Sequence, residues 1–301
     1  MTEISREQQR ILIVGAAGQV GLELQRSFAG FGDVVAVDLE SVDISKADQT
    51  RDLVRRVQPD VILNAAAYTA VDRAESEQEL AMAINAEAPR VLAEEALALG
   101  ALLVHYSTDY VFNGEKQQPW IETDEPNPLN VYGASKLAGE QAIERVGGKY
   151  LIFRTSWVYG PHGKNFLLTM LRLAGERDSL SVVDDQIGAP TTSIELANAT
   201  RTITEGVLAG RFGATPDWAG LYHMTCGGAT SWFGFAQAIF DKAGQTKKPL
   251  LTPQATKDYP TPARRPRNSV LSNQKLNHRF GVSLKSWQDA LETVMEAVQK
   301  Q

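Results

Sequence analysis

A single cysteine, Cys226, among 301 residues excludes an internal disulfide. A nucleophilic role is not expected of this thiol. Histidines are scarce as well. His105, His162, His223 and His278 lie far apart and lack metal-ligand spacing. Long apolar runs are missing, so no segment reads as a membrane span. The first ten residues, Met1 to Arg10, are charged and lack the apolar stretch of a secretory signal. The expectations are a cytoplasmic location and no membrane partner. Positive charge is not in excess either: the net charge is −6 and the pI about 5.4, which argues against a general affinity for nucleic acid. Internal repeats, low-complexity tracts and flexible linkers are absent.

What the chain does have is apolar content, 43% of its residues, enough for one large α/β unit and a smaller lobe. Ile11-Leu12-Ile13-Val14 is a short continuous apolar run ending at Gly15, as expected of a buried strand. Val34–Val37, Val61–Leu63, Leu102–Ser107 and the run beginning Leu151-Ile152-Phe153-Arg154 read as further strands. Between them, residues 20–28, 46–57, 76–98 and 131–146 have helical composition. This alternation predicts an α/β fold, a Rossmann-type doubly wound parallel sheet with helices on both faces. Beyond Tyr159 the pattern loosens, with helices near 165–177 and 194–207 and a late strand at Gly220–Met224. We expect two interleaved units. Residues 1–159 and 191–225 form the dinucleotide-binding domain, and 160–190 and 226–301 a smaller C-terminal α/β lobe for the substrate.

The turn Gly15-Ala16-Ala17-Gly18-Gln19-Val20-Gly21 follows a strand and opens a helix. There, free backbone N–H groups and the helix dipole can receive a pyrophosphate. Asp38 ends the second strand, where a carboxylate accepts from ribose hydroxyls and repels a 2′-phosphate. NADH is therefore the easier cofactor, with NADPH left open. Asn64-Ala65-Ala66-Ala67 closes the third strand with side chains small enough for a cofactor to lie against backbone. Ser107-Thr108-Asp109 ends the next long strand, at the edge where open α/β sheets bind ligands. Tyr132 and Lys136 stand four apart, on one face of a helix. An ammonium beside the phenol is expected to lower the tyrosine pKa from its usual value of about 10 and make it a proton donor near neutral pH.

Charge is unevenly spread. Residues 241–280 carry nine basic side chains (Lys242, Lys247, Lys248, Lys257, Arg264, Arg265, Arg267, Lys275, Arg279) against Asp241 and Asp258, a local balance of +7. Lys247 and Lys248 read as solvated surface. The cluster Arg264-Arg265-Pro266-Arg267 is a candidate phosphate grip, its loop stiffened by Pro260, Pro262 and Pro266.

Together these segments resemble the dTDP-4-dehydrorhamnose reductases, a family of extended short-chain dehydrogenase/reductases that completes dTDP-L-rhamnose synthesis. The resemblance runs from about Ile11 to Trp287. Its landmarks are the glycine turn, Asn64–Asp72, Tyr106–Phe112, Asn130–Glu140, Phe153–Tyr159, Asp185–Thr191 and Tyr259–Pro266. It implies that Tyr132 is the general acid, that Lys136 tunes it and holds the nicotinamide ribose, and that Thr108 bonds the sugar keto oxygen. Asp109 is implied to place sugar hydroxyls, Trp157 to flank the deoxysugar, and Asn165 and Arg265 to touch the diphosphate of dTDP-4-dehydro-L-rhamnose. The implied cofactor contacts are Gly15, Gly18, Gln19, Val20, Gly21, Asp38, Asp43, Ile44, Ala65, Ala66, Ala67 and Ser107, with Tyr132 and Lys136. Some relatives form a homodimer around magnesium held by glutamates. Glu23 suits one ligand position, while the second falls on Ile194, one place before Glu195. No metal site is therefore expected, Glu23 remains the one candidate ligand, and a homodimer stays open. Two rivals share the fold: a non-catalytic regulatory subunit, and a sugar-nucleotide epimerase or dehydratase. The dehydratases usually carry a glutamate where this chain has Tyr110.

Overall fold

A computed structural model describes residues 9–244 and 248–300. Most of the charged N-terminal segment, and Lys247 of the basic segment, lie outside the described residues. The first half runs β1 (Arg10–Val14), α1 (Gln19–Phe28), β2 (Asp33–Val37), α2 (Ala47–Val57), β3 (Val61–Asn64), α3 (Val71–Ala74), α4 (Gln78–Met82), α5 (Ala88–Leu99), β4 (Leu102–Thr108), α6 (Val131–Val146) and β5 (Lys149–Thr155). Then follow β6 (Val158–Tyr159), α7 (Phe166–Glu176), β7 (Ser179–Val183), β8 (Ile187–Gly188), β9 (Thr191–Thr192), α8 (Ser193–Leu208), α9 (Thr215–Trp218) and β10 (Gly220–His223). The chain ends with β11 (Thr230–Ser231), α10 (Trp232–Lys242), β12 (Leu250–Gln254), α11 (Gln274–Phe280) and α12 (Trp287–Gln299).

Six strands form one parallel sheet in the order β2-β1-β3-β4-β5-β10. Its central strands are apolar on both faces because both are covered. Ile11, Ile13 and Val104 pack against α1 and α8, while Leu12, Leu103 and Ile152 pack against α2, α5 and α6. Strand order reverses at β1, and ligands bind in the crevice outside such a reversal. A separate core, with Leu167, Phe235, Ile239 and Leu291, joins α7, α10 and α12 over the small parallel pair β7–β12. Leu276 and Phe280 of α11 return to the core of the large sheet.

The helix expected over 76–98 is interrupted by a π-helical turn, Ala83–Glu87. Pro89 has no N–H for the Asn85 carbonyl four residues earlier, so a regular α-turn cannot close there. The displaced Asn85 accepts from the Tyr68 N–H at 2.8 Å and donates to Ser135 Oγ at 3.0 Å, tying the end of the β3 loop to α6.

Arg154 of β5 and Glu140 of α6 form a two-pronged ion pair, Nε–Oε1 2.9 Å and Nη2–Oε2 2.6 Å, with both side chains buried. Removing one partner leaves the other charge buried without compensation. Glu140→Ala is expected to destabilise the fold by about 3–5 kcal/mol, read as a lowered urea midpoint.

Candidate active site

A cavity of about 600 Å³ opens at the carboxyl ends of β1 to β5. Every residue expected at the cofactor lines it except Gly21, which lies beneath the turn. Gly15 has φ +85°, and a Cβ there would meet the Ala66 backbone at 2.6 Å, so only glycine lets the two strand ends approach. A Cβ on Gly21 would lie 2.0 Å from the Gly15 carbonyl oxygen. Gly18 caps α1 without a side-chain hydrogen bond, and the first-turn N–H groups of Gln19 and Val20 have no helical partner. The Asp38 carboxylate accepts from Ala17 N–H at 2.6 Å and Leu39 N–H at 2.7 Å, which aims it at the cavity rim. Deeper in, the hydroxyls of Ser107 and Thr155 are buried on the cavity wall with no hydrogen-bond partner. A turn that cannot take a side chain, open N–H groups and orphaned hydroxyls fit a dinucleotide.

Helix α6 carries Tyr132 and Lys136. Asn130 caps it, accepting from the Gly133 N–H at 2.8 Å, and also donates to the Arg264 carbonyl at 2.7 Å. The helix lies close to its neighbours because a Cβ on Gly133 would be 2.2 Å from the Tyr110 carbonyl oxygen and one on Gly139 2.1 Å from that of Asn85. Tyr132 is thereby set beside Thr108, whose hydroxyl acts on the phenol. Thr108 Oγ1 donates to Asp109 Oδ1 at 2.9 Å and accepts from Tyr110 N–H at 3.1 Å.

The expectation of a lowered tyrosine pKa is corrected here. Burial pushes the Tyr132 phenol up to about 12, with the Thr108 hydrogen bond opposing. Lys136 does not offset this, because its Nζ turns to the Tyr106 carbonyl at 2.6 Å and to His105 Nε2 at 3.2 Å. Four-residue spacing sets a shared helix face but not where a long side chain ends. A phenol held at about 12 is fully protonated at neutral pH, the form a proton donor needs. Burial also raises Asp109 to about 6.

The substrate-side residues are more scattered. Arg265 is not a free phosphate grip: it makes a bidentate pair with Asp72, Nη1–Oδ1 3.0 Å and Nη2–Oδ2 2.8 Å, on the rim next to Tyr110. Of its neighbours, Arg264 is exposed and Arg267 approaches Asp185 only to 3.9 Å. Asn165 caps α7, and its amide donates toward Gln19 Oε1 and the Gly160 and His162 carbonyls, bracing the glycine turn. Trp157 adopts a left-handed φ of +48° and stacks on Trp232, centroids 3.6 Å apart, with the Gly188 backbone against its edge. Trp232, His105, Asn64 and Thr155 were not singled out in the sequence as site residues. Only the sheet register and the packing of α10 bring them there. Glu23 pairs with Arg26 at 2.7 Å, and Glu195 with Lys285 at 3.7 Å. Among the described residues no group of three or more His, Cys, Asp or Glu could hold a metal ion. Cys226 is buried, its thiol pushed up to about 12.

A family model described as the RmlD substrate binding domain matches residues 9–300. The dTDP-4-dehydrorhamnose reductase of Escherichia coli (strain K12) is 48% identical over 286 residues, 92% of this chain and 94% of that protein. The protein of the same name from Burkholderia thailandensis is 49% identical over 288 residues, covering 94% and 96%. The chain belongs to the dTDP-4-dehydrorhamnose reductase family. Among solved structures, the Bacillus anthracis reductase in complex with NADP superposes with a TM-score of 0.88 at 37% identity, covering 96% of this chain and 99% of that one. A UDP-glucose 4-epimerase from Thermus thermophilus, complexed with NAD, shares the fold with a TM-score of 0.76 at 21% identity.

Within this reductase framework Asp109 accepts the Thr108 hydroxyl most strongly as a carboxylate. Its pKa is raised by burial, so the charged acceptor gives way to a weaker neutral one as pH falls through about 6. The acid limb of kcat/KM is expected near that pH, and Asp109→Asn should flatten it, as read from a pH–rate profile between pH 5 and about 8.

Proposed function

We propose that this chain reduces the 4-keto group of dTDP-4-dehydro-L-rhamnose, using NADH or NADPH, to give dTDP-L-rhamnose. What carries the reading is the meeting of Thr108 and Tyr132 beside a cavity lined by the glycine turn and Lys136. The names of relatives close to half identical over more than nine-tenths of the chain support the same substrate. The turn 15–21 and the rim carboxylate of Asp38 hold the dinucleotide, and the hydroxyls of Ser107 and Thr155 receive its inner end. When bound, the reduced nicotinamide supplies hydride for the keto carbon. Thr108 orients the keto oxygen, and Tyr132 gives that oxygen its proton, completing the alcohol. Asp109, bonded to Thr108, fixes the direction of that hydroxyl. Lys136 holds the ribose and the developing phenolate. The lobe formed by 160–190 and 226–301 receives the nucleotide-sugar, with Trp157 flanking the deoxysugar and Arg265 exchanging Asp72 for the diphosphate. The same proposal places the enzyme in the cytoplasm and allows a homodimer, since no step calls on a second copy.

The deciding assay incubates the protein with dTDP-4-keto-rhamnose and each reduced cofactor and identifies the sugar by NMR. Stoichiometric cofactor oxidation with formation of the rhamnose nucleotide is expected. No oxidation would point to a regulatory subunit, and internal recycling to an epimerase or dehydratase. Tyr132→Phe should lower turnover by roughly 100-fold or more with cofactor affinity nearly intact. Asp38→Asn removes a carboxylate that opposes a 2′-phosphate and is expected to shift the ratio of NADPH to NADH affinity upward by about tenfold, ~1.4 kcal/mol, as measured by fluorescence titration.

A further inference from the structure

Among the described residues, two cationic side chains line the cofactor cavity, and the reaction described above uses only one of them. Lys136 is buried on the helix that carries Tyr132. Lys164 is exposed and lies in the loop between β6 and α7, far in sequence from the glycine turn. The fold nevertheless holds that loop against the start of α1. The residues on both sides of Lys164 meet Gln19. The Asn165 amide donates to Gln19 Oε1 at 2.9 Å, and a Cβ placed on Gly163 would lie 3.4 Å from Gln19 Cγ. The same amide also bonds the Gly160 and His162 carbonyls, at 2.9 and 3.1 Å, which closes the loop on itself. Gly163, with φ +75°, takes the left-handed turn that delivers Lys164 to the cavity wall. Among the described residues no carboxylate pairs with Lys164, so its ammonium is uncommitted.

The charge it meets there is unbalanced. From Gly15 to Gly21 the turn offers backbone N–H groups but no cationic side chain. The titratable side chains on the outer wall, apart from Lys164, are the carboxylates of Asp38 and Asp43. A dinucleotide pyrophosphate adds further negative charge, which the dipole of one short helix offsets only in part. Deeper in the same cavity, the orphaned hydroxyls of Ser107 and Thr155 mark the end that receives the rest of the ligand. We infer that Lys164 is a cofactor-binding residue, whose ammonium pairs with the dinucleotide pyrophosphate over the first turn of α1. A lysine suits this place as a compact charge on a flexible stem, able to follow a phosphate at the edge of solvent. The inference rests on the reading that the glycine turn holds a dinucleotide, and adds that its counter-charge comes from the β6–α7 loop.

The test is fluorescence titration of the full chain with NADH and with NADPH, no sugar present, for the unmodified protein and for Lys164→Gln. The variant keeps a polar arm and removes the charge at an exposed position. Both dinucleotides should bind about five- to tenfold more weakly and to the same degree, because both carry the pyrophosphate. Their affinity should also depend less steeply on salt concentration, and Lys164→Arg should bind as the unmodified protein does. The affinity for dTDP, measured by calorimetry, should not change. Undiminished binding of both dinucleotides by Lys164→Gln overturns the inference. A loss confined to NADPH overturns it by assigning the charge to the 2′-phosphate, and a loss confined to dTDP overturns it by assigning the charge to the nucleotide-sugar. Failure of the unmodified protein to bind either dinucleotide is a separate result, which removes the cofactor reading itself and the inference with it.

Discussion

The 2.6 Å hydrogen bond from Lys136 Nζ to the Tyr106 carbonyl is the contact on which the geometry of the site depends. A lysine buried this deeply loses its hydration and must find protein partners in return. The partners are a strand carbonyl and a histidine on β4, so the tip of the side chain is anchored to the sheet. Because Lys136 and Tyr132 share one face of α6, that anchor also sets the depth and rotation of the phenol. Gly133 and Gly139 let the helix come close enough for the anchor to be reached.

The ionic arrangement around α6 separates structural from chemical charge. Glu140 and Arg154 neutralise each other inside the protein and hold α6 to β5. Asp72 and Arg265 do the same at the rim, where the pair is partly exposed and open to exchange with an anion. The loop bearing Arg264 and Arg265 is also tied to α6, the helix bearing Tyr132, through Asn130. The neighbourhood of Tyr132, by contrast, is nearly without mobile charge. Its phenol stays protonated at neutral pH.

Placement of the cavity follows from sheet order. β1 has β2 on one side and β3 on the other, with α1 and α2 on opposite faces, and the glycine turn opens into the gap between diverging loops. The second core, of α7, α10 and α12, brings Trp232 face to face with Trp157. Two large aromatic rings stacked beside this second core give that edge a rigid apolar wall.

By itself the sequence determined the order of strands and helices, the glycine turn, the carboxylate after β2 and the tyrosine–lysine pair on one helix. Each is a local pattern, in which apolar period, backbone freedom or residue spacing acts over a few positions. The π-helical turn at Ala83–Glu87 was missed because it arises where Pro89 withholds an N–H and the Asn85 side chain finds partners far away in sequence. Tertiary structure alone decided that Lys136 is anchored to the Tyr106 carbonyl, that Arg265 is paired with Asp72 and that Asn165 braces the glycine turn. These are contacts between residues tens to nearly two hundred positions apart. Burial, which set the pKa of Tyr132 against the spacing argument, is a property of the packed whole and has no signature in any short stretch of chain.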